Sequence, residues 1–493
     1  MAGRRGVALR TVAAALAGAG ALAAAGCGGS NDGKATLHFH SRPDLTPPVV
    51  TVAKAGPAAA PGDVFIAPKQ DAIQKGPEIL DDRGQPVWFK PVPAQATDFR
   101  VQTYQGRPVL TWWQGPPEAP VSGSGVGHGV IFSSSYRQIA RVDASFGPNT
   151  ADLHEFQLTP QGTALLTVYR IVPFDLSSVG GPAGGKAVDG LIEDVDVKTG
   201  RVLFTWHSLD HVGLSESYSP PPQAGEKDAT KPYDYFHINS VDPEPGGRLL
   251  VSARNTHAVY EVDERTGAIV WRLGGKKSTF RMGAGTRFAW QHDARLQPDG
   301  TITIFDDEAS PQVGKQSRAI RLRLDMKAKT ATLVSSFANG TLAGSQGNMQ
   351  VLPNGDTFVG WGAIPRVTEF SPAGGIVFDA TFTKGDDSYR AYRFRWTGRP
   401  ATRPAIAVAK GGGDNATVYA SWNGATAVAR WQALAGINAD NLSAAGPSVA
   451  RSGFETTLQV PTGAPYLAVE ALDARGRVLA RSAAVPRGGV AIG

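Results

Sequence analysis

Three stretches of the chain open on a histidine and then run the same course: His154-Glu-Phe-Gln-Leu-Thr-Pro-Gln-Gly162, His237-Ile-Asn-Ser-Val-Asp-Pro-Glu-Pro-Gly-Gly247 and His292-Asp-Ala-Arg-Leu-Gln-Pro-Asp-Gly300. Each places an apolar residue four positions after the histidine. A Pro/Gly turn then leads into an apolar strand: Ala164-Leu-Leu-Thr167, Arg248-Leu-Leu-Val251 and Thr301-Ile-Thr-Ile304. Gln346-Gly-Asn-Met-Gln-Val-Leu-Pro-Asn-Gly355 repeats the phrase with Gln346 and Asn348 in place of histidine, and Asp98 to Gly106 is a weaker copy. Polar residues at one fixed place in a repeated unit become neighbours when the units surround an axis.

A second hairpin alternates with the first. Asp196-Val-Lys-Thr-Gly200 leads to Trp206, and Asp263-Glu-Arg-Thr-Gly267 leads to Trp271. The Asp/Gly pair supplies the positive φ of a tight turn. Degenerate versions run from Asp81 to Trp88 and from Ser371 to Phe378. The two hairpins together predict four-stranded units from Phe99 to Val142, His154 to Trp206, His237 to Trp271, His292 to Phe337 and Asn348 to Phe382. A sixth unit is expected from both ends of this region, Val64 to Phe89 pairing with Tyr389 to Trp396. The expectation is an all-β protein with a six-bladed β-propeller over residues 63–400, a ring that hides its sheet edges by closing. After Pro400 short alternating strands, such as Ala416-Thr-Val-Tyr-Ala-Ser-Trp422 and Glu455-Thr-Thr-Leu-Gln-Val460, predict a fibronectin- or immunoglobulin-like β-sandwich over 401–493.

The first residues read as an export signal. Arg4, Arg5 and Arg10 precede an Ala/Val/Leu-rich run that ends at Ala25-Gly26-Cys27-Gly28, a basic start with a small-residue end. Cys27, the single cysteine of the chain, stands where a lipidated cysteine stands, so residues 1–27 are read as signal and 28–62 as tether and amino-terminal segment. The protein is expected on the outer face of a bacterial membrane through this lipid, or secreted. With one cysteine no internal disulfide is possible, and stability must come from a large core. The net charge of +6 over 493 residues is modest and scattered, which argues against a nucleic-acid partner.

If the first strand of each unit lines a central channel, His154, His237 and His292 face one axis, with Gln346 and Asn348 from the next unit. Arg254, just after the second strand of the His237 unit, and Arg318, at the head of the next hairpin of the His292 unit, are expected to join them. Imidazole, amide and guanidinium without a required carboxylate cluster suit an anionic tetrahedral group. They suit a metal less well, and no metal or cofactor is expected. His38, His40, His128, His207, His211 and His257 are read as structural or surface residues. The long loop from Trp206 to Pro222 is read as a functional lid. A metal-dependent propeller enzyme, and a non-catalytic propeller that captures sulfated or phenolic ligands or scaffolds an envelope complex, are the alternatives.

The phrases Tyr235-Phe-His237-Ile-Asn239-Ser, Ser252-Ala-Arg254-Asn255 and Trp290-Gln-His292-Asp293 resemble the arylsulfotransferase family, as do Phe305-Asp306-Asp307, Ser317-Arg318-Ala319 and Ser345-Gln346-Gly347-Asn348. The resemblance implies a six-bladed propeller that moves a sulfuryl group from an aryl sulfate to a phenol through a sulfohistidine. It implies His292 as nucleophile, His237, Arg254 and His154 as groups on the sulfuryl oxygens, and Asn239, Arg318, Gln346 and Asn348 as substrate-binding residues. The disulfide pair and large amino-terminal β domain of some members are missing here, and the extra domain is carboxy-terminal.

Overall fold

A computed structural model describes residues 35–493 except 117, 118, 120, 224 and 226–229. The signal and Cys27 readings lie outside the described residues. The described chain is nearly all β, with one α-helix, the four-residue Ser208–His211. No helix among the described residues is long and apolar enough to cross a membrane.

Six antiparallel sheets follow one another along the chain. The first contains Asp63–Ile66, Glu78–Leu80 and Pro86–Phe89 and takes Tyr392–Phe394 as its fourth strand, in the register Val64 opposite Arg393. The second runs from Gln95–Tyr104 to Gln138–Val142, the third from Phe156–Leu158 to Val202–His207, and the fourth from Ile238–Glu244 to Ile269–Gly274. The fifth, His292–Leu296 to Thr330–Phe337, gains the parallel strand Arg281–Met282. The sixth, Asn348–Val351 to Ile376–Thr381, gains Thr51–Ala55 at its outer edge. That last strand belongs to the amino-terminal segment of 28–62, whose tether-like start, Gly28 to Lys34, lies outside the described residues. Leu45 packs with Phe89 and Phe454, and the Ser41 hydroxyl donates to Glu455, so this segment is built into the fold.

Polar side chains at the inner strands imitate backbone pairing from one sheet to the next. Gln102 of the second sheet accepts from Leu158 N and donates to Phe156 O of the third, both at 2.8 Å. Glu155 accepts from Val241 N, and Ser240 accepts from Ala294 N. The Asn348 amide donates to Ala391 O at 2.8 Å and accepts from Ala391 N at 2.9 Å, joining sixth sheet to first. Each satisfied pair removes a buried orphan. Between neighbouring sheets lie apolar clusters. Leu165, Ile192 and Trp206 of the third pack with Val251 and Tyr260 of the fourth, whose Leu250 and Trp271 pack in turn with Ile302 and Ile320 of the fifth. Side chains of this size contribute about 1.5–3 kcal/mol each when fully buried, and repetition makes a core that needs no disulfide.

The Asp-x-x-x-Gly turns form as their chemistry dictates. Asp196 accepts from the Thr199 backbone and hydroxyl, and Gly200 has φ 70°. The buried Trp206 after this turn donates its indole N–H to Gly267 O, the matching turn of the next sheet. Beyond residue 400 two further sheets, one centred on Ala405–Val408 and Ala416–Ser421, the other on Arg430–Gly436 and Tyr466–Leu472, share one apolar cluster that includes Ile406, Val418, Trp431 and Val469. This region meets the first two sheets through Asn423 on the Phe89 backbone and the Tyr136 hydroxyl on Gly424 O.

Candidate active site

His154, His237 and His292 line one cavity of about 460 Å³, together with Arg254, Gln346, Tyr389 and Lys69. The rings of His154 and His237 lie 4.9 Å apart and nearly perpendicular. Tyr389 stands edge-on to both His154 and His292, at 5.6 and 6.3 Å. Convergence follows from the repeat: each histidine sits at or just before the start of an inner strand. At that end the backbone is bent. His237 itself has φ 54°, and Asp293, one residue after His292, also has φ 54°. Positive φ in such residues is a strain that surrounding structure must impose. Arg254 N donates to His237 O, which fixes the bend and sets the guanidinium beside the imidazole.

Each imidazole carries a carboxylate on Nδ1: Asp152 on His154, Asp234 on His237, and Asp307 on His292 at 2.8 Å. These carboxylates stand singly, one behind each imidazole, and add to the expected set of imidazole, amide and guanidinium. The sequence reading missed these partners, although Asp234 lies three residues before His237 and Asp307 ends a quoted phrase. The outward nitrogen of His292, Nε2, accepts from the Gln346 backbone N–H at 3.3 Å. A nitrogen that accepts carries no proton, so Nδ1–H is the donor to Asp307. Burial, and then the charge of Arg254, hold His292 well below its usual range, which favours the neutral ring; the Gln346 N–H occupies its Nε2 lone pair at the cavity wall. Burial also lowers His154. At Asp152 burial pushes upward, but the His154 contacts outweigh it and leave the carboxyl below normal.

Gln346 is held in place by its neighbour. Gly347, at φ 99°, lies against the Phe305 ring, where a Cβ would come within 2.6 Å. The Arg254 guanidinium lies over the Trp290 ring at 4.7 Å and donates to Asn255 Oδ1 and Ser310 O. Two of its five N–H groups are thereby spent, and the others remain for a ligand.

Four sequence-based assignments fall elsewhere. Arg318 binds Asp306, Gly285 O and Arg287 O and does not line the cavity. Asn348 braces Ala391, and the Asn239 amide donates to Gln291 O; neither lines the cavity. Polar side chains on inner strands serve sheet pairing as readily as ligands. The loop after Trp206 is no lid over this cavity: Tyr218 stacks on His257 at 4.1 Å, and His257 packs against Trp290, behind Arg254. Lys69 and Asp387 were missed, because no repeat or motif marks them.

A family model described as arylsulfotransferase (ASST) matches residues 100–383, more than half of the chain. The chain belongs to the arylsulfotransferase family. Family membership carries a sulfotransferase type of activity, with aryl sulfates and phenols as the substrate classes. No curated protein matches. Among solved structures the chain is similar to a protein of unknown function from Bacteroides caccae, with 13% identity, 68% of this chain and 100% of that one covered, and a TM-score of 0.41. It is also similar to virginiamycin B lyase from Staphylococcus aureus, with 7% identity, 76% and 96% covered, and a TM-score of 0.35. A third is regucalcin, a calcium-binding protein from Agrobacterium tumefaciens, with 13% identity, 64% and 83% covered, and a TM-score of 0.28.

Proposed function

We propose that this arylsulfotransferase-family chain is a six-bladed β-propeller with a carboxy-terminal β-sandwich, and that it moves a sulfuryl group from an aryl sulfate to a phenol through a sulfohistidine at His292. The observation that carries the reading is the setting of His292: Nδ1 against Asp307, and Nε2 on the wall of the cavity that Arg254 also lines, held there by the Gln346 N–H through a long 3.3 Å contact that an entering sulfur displaces. Nε2 attacks sulfur in line with the departing aryl oxygen. The N–S bond forms as the S–O bond breaks, and the ring keeps its Nδ1 proton against Asp307. Arg254 holds the sulfuryl oxygens with its remaining N–H groups, where a preorganised donor contributes on the order of 3 kcal/mol, and His237 and His154 join it as Nε2–H donors in their protonated forms, each backed by its carboxylate. A phenol then takes the group from the histidine, so the kinetics are ping-pong.

Intact-mass analysis after incubation with an aryl sulfate, without acceptor, tests this. The expected result is one acid-labile sulfuryl group on His292 that phenol discharges. Ligand binding without an adduct in folded protein would replace the enzyme by a binding module. The basic start and the small residues up to Cys27 support export and lipid attachment at Cys27. A single acyl chain anchors only marginally, so more than one is required. Retention of a Cys27→Ala protein on membranes as firmly as the wild type would count against this.

A further inference from the structure

Resting on the sulfuryl-transfer reading, we infer that Lys69 is a further catalytic residue, the group that gives a proton to the departing phenolate and takes one from the incoming phenol. Lys69 is the one buried lysine among the described residues, and it lines the cavity that holds His292. It comes from the turn after the Asp63–Ile66 strand, and that turn is pinned. Lys69 N donates to Asp387 O and Asp386 Oδ1, and Gln70 N donates to the same Asp386 oxygen.

The ammonium pairs with Asp387 Oδ2 at 2.8 Å, with both side chains 9% exposed. That same oxygen accepts from the Gln346 amide at 3.1 Å, and the Gln346 backbone N–H meets His292 Nε2. One residue therefore links the lysine pair to the nucleophile. Asp387 is the single acceptor in contact with the ammonium among the described residues, and an ammonium has three donors.

Arg254 and Lys69 are the arginine and the lysine on the cavity wall. Arg254, in its plane beside His237, matches the sulfuryl oxygens. The bridging oxygen that leaves as phenolate needs a separate partner, and Lys69 is the remaining cation. In the first half-reaction the Lys69 ammonium transfers one proton to the phenolate oxygen, which yields phenol, a neutral amine and the N-sulfonated ring. In the second the amine accepts the proton of the incoming phenol as its oxygen bonds to sulfur and the N–S bond breaks. Protons and charge balance over the cycle.

Leaving-group dependence reads this step directly. A nitrophenolate leaves without help, whereas an unsubstituted phenolate needs a proton, and a general acid contributes about 10²–10⁴-fold. In Lys69→Met, formation of the adduct from nitrophenyl sulfate, measured in a single turnover without acceptor, should slow less than about 5-fold, while its formation from phenyl sulfate should slow about 100-fold or more. Lys69→Met combined with Asp387→Asn removes both charges of the pair and should show the same contrast if the single variant folds poorly. Equal losses with the two donors, or no loss, would overturn the role of Lys69 while leaving the His292 adduct intact. Absence of that adduct in the wild type with either donor would overturn both readings.

Discussion

Two buried polar regions lie side by side on the inner strands and are built oppositely. The cavity wall carries His154 and His292. The residues directly after them, Glu155 and Asp293, belong to a closed ion network with Asp98 and the guanidiniums of Arg100, Arg295 and Arg390. Arg390 is fully buried and reaches Asp98 at 2.8 Å, Asp293 at 3.1 Å and Glu155 at 3.4 Å. Arg100 and Arg295 each bind Glu155 at 2.6 Å. Burial pushes Glu155 up, but the three guanidiniums outweigh it and hold the carboxyl at about 2. Asp242 of the fourth sheet adds a further carboxylate 3.6 Å from Arg295, so the network joins the first, second, fourth and fifth sheets and the residue just before the third. On the cavity side each imidazole has its inner nitrogen on a carboxylate, and the outer one of His292 is held only by the long contact from the Gln346 N–H. Adjacent residues of one strand thus serve opposite ends: one locks the ring, the other is left unfinished for a ligand.

That contrast is broken most severely at His292. His292→Asn should remove the sulfuryl adduct and at least about 10⁴-fold of transfer rate, the scale for loss of a nucleophile. The thermal midpoint should stay near the wild type, because the side chain faces the cavity. A comparable fall in stability would place His292 with the locking network. Arg390→Met should do the reverse. Removing one member of a buried ion set leaves the others unpaired and costs about 3–5 kcal/mol, read as a lower denaturation midpoint. Undiminished stability there would mean that the network is dispensable.

Asp307→Asn sharpens the boundary, since it alters neither the nucleophile nor the lock. An amide on Nδ1 favours the tautomer that puts the proton on Nε2, so adduct formation should slow about 10³-fold or more, with substrate binding less affected. Arg254→Lys keeps the charge but loses the paired donors. A loss of about 10²-fold in single-turnover rate is expected, and full activity would remove Arg254 from the sulfuryl contacts.

The smallest effect is that of pH. Burial, then Arg254 and Lys276, draw His257 down to about 4 from 6.5. The unfolded chain binds the extra proton between these values, so the stability from its neutral ring is present above pH 6.5 and lost toward pH 4. The urea midpoint should fall across that window. His257→Asn, a residue that tolerates the local φ of 48°, should flatten the fall.

Much of the fold was legible because it repeats. The Pro/Gly and Asp/Gly turns mark hairpin ends, and period-two apolar residues mark strands whose inner faces must be buried. The pairing of Tyr389 to Trp396 with the Val64 to Phe89 segment followed from strands left over at both ends of the repeats. The strand Thr51–Ala55 was not legible. Its side chains are mostly exposed, so no burial pattern announces it. At the site the three histidines and Arg254 were found by their repeat position or motif. Asn348 and Arg318 were assigned by the same logic, but the backbone of the neighbouring strand claimed Asn348, and Asp306 claimed Arg318.

By itself the sequence determined the strand units, their order and the placing of His154, His237 and His292 at one end of three successive units, since turn chemistry and apolar period are local properties. Only the tertiary structure decided which nitrogen of His292 faces the cavity, that a carboxylate backs each imidazole, and that Asp387, more than three hundred residues away in sequence, pairs with Lys69 on the cavity wall. Tautomer, ion pairing and cavity walls depend on what distant segments bring within hydrogen-bond range, and ring closure sets those distances.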